Sequence, residues 1–141
     1  GMLAGELEDD PRKPACMVLL APAAVLKDDA IAGQCMGKKY DASNPPEYVS
    51  VMFHKLGRKF ILAAQKLPLY ETSAAYTGKV FIIHGTQDKI VPVSYSEKYH
   101  DIYPGSTLQL IEGENHFLSQ QKDSIAASVA SFFKEGFSTV L

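Results

Sequence analysis

Three short runs rich in apolar residues stand out along the chain. They are Cys16 to Ala21 (CMVLLA), Val80 to Ile83 (VFII) and Thr107 to Ile111 (TLQLI). Apolar runs of four to six residues, without a regular polar alternation, are typical of strands buried on both faces of a parallel sheet. The sequence therefore predicts three buried strands.

Helical spacing follows the second and third of these runs. A helix is predicted from Ser94 to about Tyr103, with Ser94 and Glu97 in a capping box. The apolar spacing near the end of the chain predicts an amphipathic helix, whose buried stripe is Ile125, Val129, Phe132 and Phe133. This alternation of strand and helix predicts an α/β fold, with a short parallel three-stranded sheet and flanking helices.

A long segment, about residues 23-76, separates the first strand from the second and is too long for an ordinary connection. Its first part is loop-like, with Gly33, Gly37 and Asn44-Pro45-Pro46. Its second part places apolar residues on one helical stripe: Met52, Leu56, Phe60, Ala63, Ala64 and Leu67. The segment is interpreted as a helical cap insertion that covers a site. The alternative is a decoration that packs on the sheet.

Composition narrows the class of protein. With 141 residues, 46% of them hydrophobic, and a net charge of -2, the chain suits one compact domain. Without a basic cluster, a long apolar stretch or a signal peptide, we expect no nucleic acid partner, no membrane span and a cytoplasmic location. The two cysteines, Cys16 and Cys35, have no metal-ligand spacing, and no metal or other cofactor is predicted.

Two segments place a reactive side chain directly after a predicted strand. HGTQD ends in Asp88, and LIEGENH ends in His116. The carboxyl ends of adjacent parallel strands meet at one edge of a sheet, where open α/β folds build their sites. A carboxylate there can accept the Nδ1–H of an imidazole, fix its tautomer and stabilise the imidazolium. Asp88 alone suits an ordinary turn, and a lone histidine is often incidental, but their joint order favours a catalytic pair. His84 is interpreted as a packing residue of the turn.

These segments resemble the last three strands of α/β-hydrolases, whose triad runs in the order serine, acid, histidine. The resemblance covers nearly the whole chain and is to the bacterial cinnamoyl (feruloyl) esterases. The segments that carry it are LLAPAA (Leu19 to Ala24), LPLYE (Leu67 to Glu71), HGTQD and LIEGENH. It implies carboxylic ester hydrolysis, a small-molecule ester or aromatic acid as ligand, Asp88 as acid and His116 as base.

The resemblance also implies substrate-binding residues in the cap. Asp29 matches an acidic residue of the family that can meet a phenolic hydroxyl. Met36 stands where the family suggests glutamine, and Phe60 where it suggests tyrosine. These two apolar replacements weaken the expected selectivity for hydroxylated cinnamates, and packing roles for Met36 and Phe60 stay open.

The serine nucleophile of the family is missing from this sequence. No G-x-S-x-G elbow occurs, and none of Ser43, Ser50, Ser73 and Ser94 has an elbow around it. MLAGELE resembles the helix after the nucleophile, so the elbow would come just before Met2. The chain is therefore interpreted as a truncated serine hydrolase that is inactive by itself. Two alternatives remain: a non-catalytic small-molecule-binding or self-associating domain, and Cys16 or Cys35 as a substitute nucleophile.

The predicted strand order has a consequence for assembly. If the three strands pair in chain order, Cys16 to Ala21 becomes an apolar edge strand with one side unpaired. Such edges recruit other chains. We therefore expect a homodimer or higher assembly in which this strand pairs with its copy about a two-fold axis.

Overall fold

The computed structural model describes residues 1–51 and 54–138. The described chain divides into two compact units. Gly1–Pro22 and the described residues from Leu69 onward form the first, and Ala23–Pro68 forms the second. In chain order, the helices and strands are α1 (Met2–Glu6), β1 (Cys16–Leu20), α2 (Val25–Ala32), β2 (Gln34–Cys35), β3 (Lys38–Lys39), β4 (Tyr48–Val51), β5 (His54–Gly57), α3 (Arg58–Ala64), α4 (Leu69–Ser73), β6 (Lys79–Gly85), α5 (Ser94–Ile102), β7 (Thr107–Ile111) and α6 (Lys122–Ser138).

The first unit is built on a parallel sheet of three strands in the order β1-β6-β7. Val18 pairs with Phe81, and Phe81 in turn pairs with Thr107. The predicted strands, their parallel direction and their pairing in chain order are confirmed. The central strand β6 is buried along nearly its whole length, and Ile82 and Ile83 on it have no exposed surface. β1 lies at one edge of this sheet.

The C-terminal helix α6 covers the sheet with the predicted apolar stripe. Phe81, Ile83, Ile111, Leu118 and Ile125 form a buried cluster, and Val129 and Phe132 of α6 pack against it. The rings of Phe81 and Phe132 are 5.4 Å apart. Burying an aliphatic or aromatic side chain of this size contributes about 1.5–3 kcal/mol to the stability of the fold. This cluster therefore holds α6 against one face of the sheet.

The second unit differs from the predicted helical cap. Tyr48–Gly57 forms the antiparallel hairpin β4–β5, and α3 is limited to Arg58–Ala64. The helical stripe from Met52 to Leu67 is therefore wrong for its first part, and Met52 itself lies outside the described residues. The two-residue alternation of Tyr48-Val49-Ser50-Val51 explains the difference, since Val49 and Val51 are buried and Ser50 between them is not. β-branched residues in that pattern favour a strand.

Two further boundaries differ from the sequence prediction. Residues 69–76, which the sequence pattern assigns to the insertion, belong to the first unit. The predicted capping box of α5 is not formed. The N-cap residue is Val93 and the helix begins at Ser94, so Ser94 is not at the capping position, and no side chain caps the helix. Among the described helices, none has the length and apolarity needed to cross a membrane.

Candidate active site

The turn after β6 presents Asp88. The strand ends at Gly85, whose carbonyl accepts the amide of Asp88 at 3.1 Å. A Cβ atom on Gly85 would lie 2.3 Å from the backbone oxygen of Glu114, so only glycine permits this close approach of the neighbouring loop. The amide of Gln87 donates to the same Glu114 oxygen at 2.8 Å. The Asp88 turn is thus bonded directly to the loop that follows β7.

The loop after β7 presents His116. It turns at Gly113, which has a φ of 76° and whose amide donates to Thr86 Oγ1 at 3.0 Å. The side chain of Glu114 is fully buried, and its carboxylate accepts the amide of Gln121, just before α6. The loop is therefore held at its start by the Asp88 turn and at its end by Glu114.

The two strand tips bring Asp88 and His116 into hydrogen-bond contact. His116 Nδ1 lies 2.8 Å from Asp88 Oδ2. The Asp88 side chain has no exposed surface, whereas a quarter of the His116 side chain is exposed. An ionised carboxylate can only accept, so Nδ1 carries the proton and Nε2 is the nitrogen left to accept another. The sequence predicted this pair; its catalytic role stays a prediction.

The backbone holds the other oxygen of Asp88. The amides of Ile90 and Val91 both donate to Oδ1 at 2.8 Å. Burial alone would raise the pKa of the Asp88 carboxyl, but the N–H groups of Val91, His116 and Ile90 hold the pKa below its ordinary value. Asp88 is consequently charged at neutral pH and can stabilise an imidazolium at His116.

His84 also belongs to this site, and the sequence analysis did not assign it there. It lies on β6 with no exposed surface, and its Nε2 is 3.1 Å from Asp88 Oδ2. The same nitrogen lies 2.9 Å from the carbonyl oxygen of Val91, and Nδ1 lies 2.6 Å from Ser96 Oγ. The signal for this contact is the spacing of four residues between His84 and Asp88 across a tight turn.

An open groove of about 410 Å³ lies beside His116. The residues that line it include Gln87, Lys89, Ile90, Phe117 and Gln120. The Phe117 side chain is 70% exposed, and its ring lies 5.6 Å from the His116 ring. His116 is thus one of the residues that line this open groove.

The three residues predicted to bind substrate all belong to the second unit. Asp29 lies on α2, where its carboxylate accepts the side-chain amide of Gln34 at 2.8 Å. Met36 lies between β2 and β3 with a φ of 46°, and Phe60 lies on α3; about half of each side chain is exposed. Their role in substrate binding stays a prediction.

Within residues 1–51 and 54–138, no serine, threonine or cysteine side chain is hydrogen-bonded to His116. Ser43 Oγ donates to Asp41 at 2.6 Å, Ser73 is fully buried, and Ser96 contacts His84 instead. Both cysteines are free thiols and buried. Throughout this described part, no group of three or more His, Cys, Asp or Glu residues has an arrangement that could hold a metal ion.

Comparison with known proteins finds similarity at the level of structure. No protein-family model matches the chain, and no curated protein matches it either. Est1E from Butyrivibrio proteoclasticus matches with a TM-score of 0.88 and 26% identity over 97% of this chain and 56% of Est1E. Its structure with ferulic acid bound matches with a TM-score of 0.86 and 25% identity, over 96% of this chain and 55% of that one.

A more distant structure shares the fold alone. Alpha/beta hydrolase domain-containing protein 10 from mouse matches with a TM-score of 0.68 and 16% identity, over 94% of this chain and 57% of that one. The chain thus spans a little more than half the length of the proteins it matches. The sheet, the two strand tips and these structures lead to one conclusion: the chain is related to the α/β-hydrolases and has part of their fold.

Proposed function

We propose that this chain supplies the acid and the histidine of a serine hydrolase that cleaves carboxylic esters. The contact between His116 Nδ1 and Asp88 Oδ2 at 2.8 Å is the observation that carries the proposal. A buried carboxylate with one oxygen on two backbone amides and the other on an imidazole has the arrangement of a histidine-orienting acid. The relationship to α/β-hydrolases adds support, since this fold carries its acid and histidine on such strand tips.

The pair would act by moving one proton. His116 Nε2 takes the proton of the serine hydroxyl as its oxygen attacks the ester carbonyl, and Asp88 stabilises the resulting imidazolium. The imidazolium then gives that proton to the departing alcohol, which leaves an acyl-enzyme. Water attacks the acyl-enzyme in the same way, and the acid and the serine are released.

The serine and its oxyanion hole would come from sequence outside these 141 residues. The sequence holds no G-x-S-x-G elbow, and the oxyanion hole of the fold uses the amide after the nucleophile together with an earlier loop. Preorganised donors of this kind are usually the largest single contribution to catalysis of acyl transfer. We therefore expect the 141-residue chain alone to have no esterase turnover.

The substrate class that we propose is an ester of a small, aromatic carboxylic acid. The structure of Est1E, which is similar to 97% of the present chain, has been solved with ferulic acid bound. Asp29, Met36 and Phe60 are proposed to contribute to acid binding. Because Met36 and Phe60 are apolar, we expect little discrimination between cinnamates with and without ring hydroxyls.

A chimaera tests this function. In it, the present chain replaces the part of Est1E that it matches, and the remainder of Est1E is kept. We expect the chimaera to hydrolyse p-nitrophenyl acetate and methyl ferulate in a spectrophotometric assay, and the isolated chain to leave both intact. A folded chimaera without turnover would contradict the proposal, as would turnover by the isolated chain that His116→Ala removes.

We also propose that the chain self-associates through β1. In the described sheet β1 is an edge strand, and its Leu20 side chain is 53% exposed. An apolar, unpaired edge favours pairing with a second copy, and a charge on it opposes pairing.

Leu20→Lys is therefore expected to convert a dimer to a monomer in multi-angle light scattering at micromolar concentration. Leu110→Lys is the matched control, because Leu110 is a similarly exposed leucine on the opposite edge strand β7. A monomeric wild-type chain, or equal effects of both variants, would rule out pairing through β1.

A further inference from the structure

His84 is a buried histidine for which the proposed mechanism has no task. It lies on the central strand β6 and has no exposed surface, and both of its ring nitrogens have partners. One of those nitrogens is also 3.1 Å from the Asp88 oxygen that meets His116. Two imidazoles therefore flank one carboxylate oxygen, one inside the fold and one at its surface.

The partners of His84 fix its tautomer. The carbonyl oxygen of Val91 can only accept, so Nε2 must carry a proton. A serine hydroxyl can donate, so Ser96 satisfies Nδ1 of the neutral ring at 2.6 Å. These partners place a ring proton on Nε2, on the side of the ring that faces Asp88.

We propose that His84, with its tautomer set by Ser96 and Val91, is the positioning residue that holds Asp88 Oδ2 toward His116. The backbone amides of Ile90 and Val91 fix only Oδ1. Without His84, Oδ2 would be held by His116 alone, whose side chain is a quarter exposed. The Nε2–H of His84 is hydrogen-bonded to the Val91 carbonyl oxygen, and Nε2 also lies 3.1 Å from Asp88 Oδ2, so its N–H dipole attracts this oxygen.

Ser96 extends this arrangement into helix α5. It is fully buried and lies on the helix that follows the Asp88 turn. The order Ser96, His84, Asp88, His116 therefore runs from a helix through the central strand to the surface. The inference rests on the proposed function for its catalytic meaning, but the geometry can be tested without activity.

The experiment uses the full 141-residue chain and NMR. The low-field resonance of the His116 Nδ1 proton reports its bond to Asp88, and ¹⁵N shifts of labelled histidine report the tautomer of each ring. We expect His84→Leu and Ser96→Ala to speed exchange of this proton with water by about tenfold, the effect of losing one buried hydrogen bond. His84→Gln, which keeps an N–H donor near the same place, should restore slow exchange.

A matched control is available on the surface. His100 Nδ1 lies 2.7 Å from Ser106 Oγ in an exposed pair of the same chemistry, so Ser106→Ala should leave the His116 proton unchanged. If His84→Leu does not fold, Ser96→Ala decides, with a changed ¹⁵N shift of His84 Nδ1, which loses its hydrogen-bond partner, as its expected result. The proposal is overturned if the Ser96→Ala variant folds and both the exchange of the His116 Nδ1 proton and the ¹⁵N shifts of His84 are those of the wild-type chain. A chimaera without esterase activity would contradict the proposed function and leave this NMR result standing.

Discussion

Asp88→Asn in the chimaera is expected to lower kcat for ester hydrolysis by about four orders of magnitude, the loss known when the orienting acid of a Ser–His–Asp triad becomes an amide. Asparagine keeps the size of the side chain and can still accept the amides of Ile90 and Val91. It offers His116 no negative charge and permits the wrong tautomer. The measurement is steady-state hydrolysis of p-nitrophenyl acetate, in which KM should change little.

His116→Ala removes the base itself and is expected to lower kcat by about six orders of magnitude, to the background. Two surface variants serve as controls. Asp101 and His100 are an exposed acid and an exposed histidine on α5, so Asp101→Asn and His100→Ala should leave kcat within a factor of about two, as surface changes commonly do. An Asp88→Asn enzyme that keeps a tenth or more of the activity would exclude Asp88 as the orienting acid.

Gly85→Ala is expected to damage both stability and the site. Its Cβ atom would overlap the Glu114 oxygen at 2.3 Å, and that oxygen is backbone, so no side chain can rotate away. Forcing the two loops apart should cost about 3 kcal/mol, as overpacking of a tight interior does. Thermal unfolding followed by circular dichroism should show a Tm lower by about 10 °C. The NMR signal of the His116 Nδ1 proton should broaden or disappear.

Gly57→Ala is the matched control for this variant. Gly57 has a φ of -74°, which alanine adopts readily, and the nearest atom to its added Cβ would be 4.0 Å away. Both variants therefore add one methyl group. At Gly85 it would overlap the backbone of Glu114, and at Gly57 it would overlap no atom. Equal Tm values for both would show that the close approach of the two loops is not required.

The sheet and the Asp88–His116 contact could be predicted from the sequence because each depends on strong local signals. Apolar runs gave the strands, and parallel strands present their carboxyl ends at one edge. The residues that follow β6 and β7 were therefore expected to meet, and the distance of 2.8 Å between His116 Nδ1 and Asp88 Oδ2 fits that expectation.

The second unit was harder to predict because short apolar segments suit two periods. Leu56 and Phe60 fit a helical stripe, while Val49 and Val51 fit an alternating strand. In the structure, Tyr48–Val51 and His54–Gly57 pair as an antiparallel hairpin. Cross-strand pairing supplies a stabilisation that no single-segment pattern contains.

His84 was missed for a different reason. Its strand position indicated burial, but hydrogen-bond partners such as Ser96 and Val91 depend on the path of the turn and the placement of α5. The start of α5 at Ser94 likewise depends on the path of the turn, since no side chain caps this helix.

The acid and the histidine are encoded only 28 residues apart, on one strand–helix–strand unit. Among the described residues, the hydrogen bonds to the Asp88 carboxylate come from Ile90, Val91 and His116, all within this stretch. The contact between Asp88 and His116 thus depends on residues that are close together in the sequence. Under the proposed function, substitutions in Ala23–Pro68 are therefore expected to alter ligand preference while these hydrogen bonds stay intact.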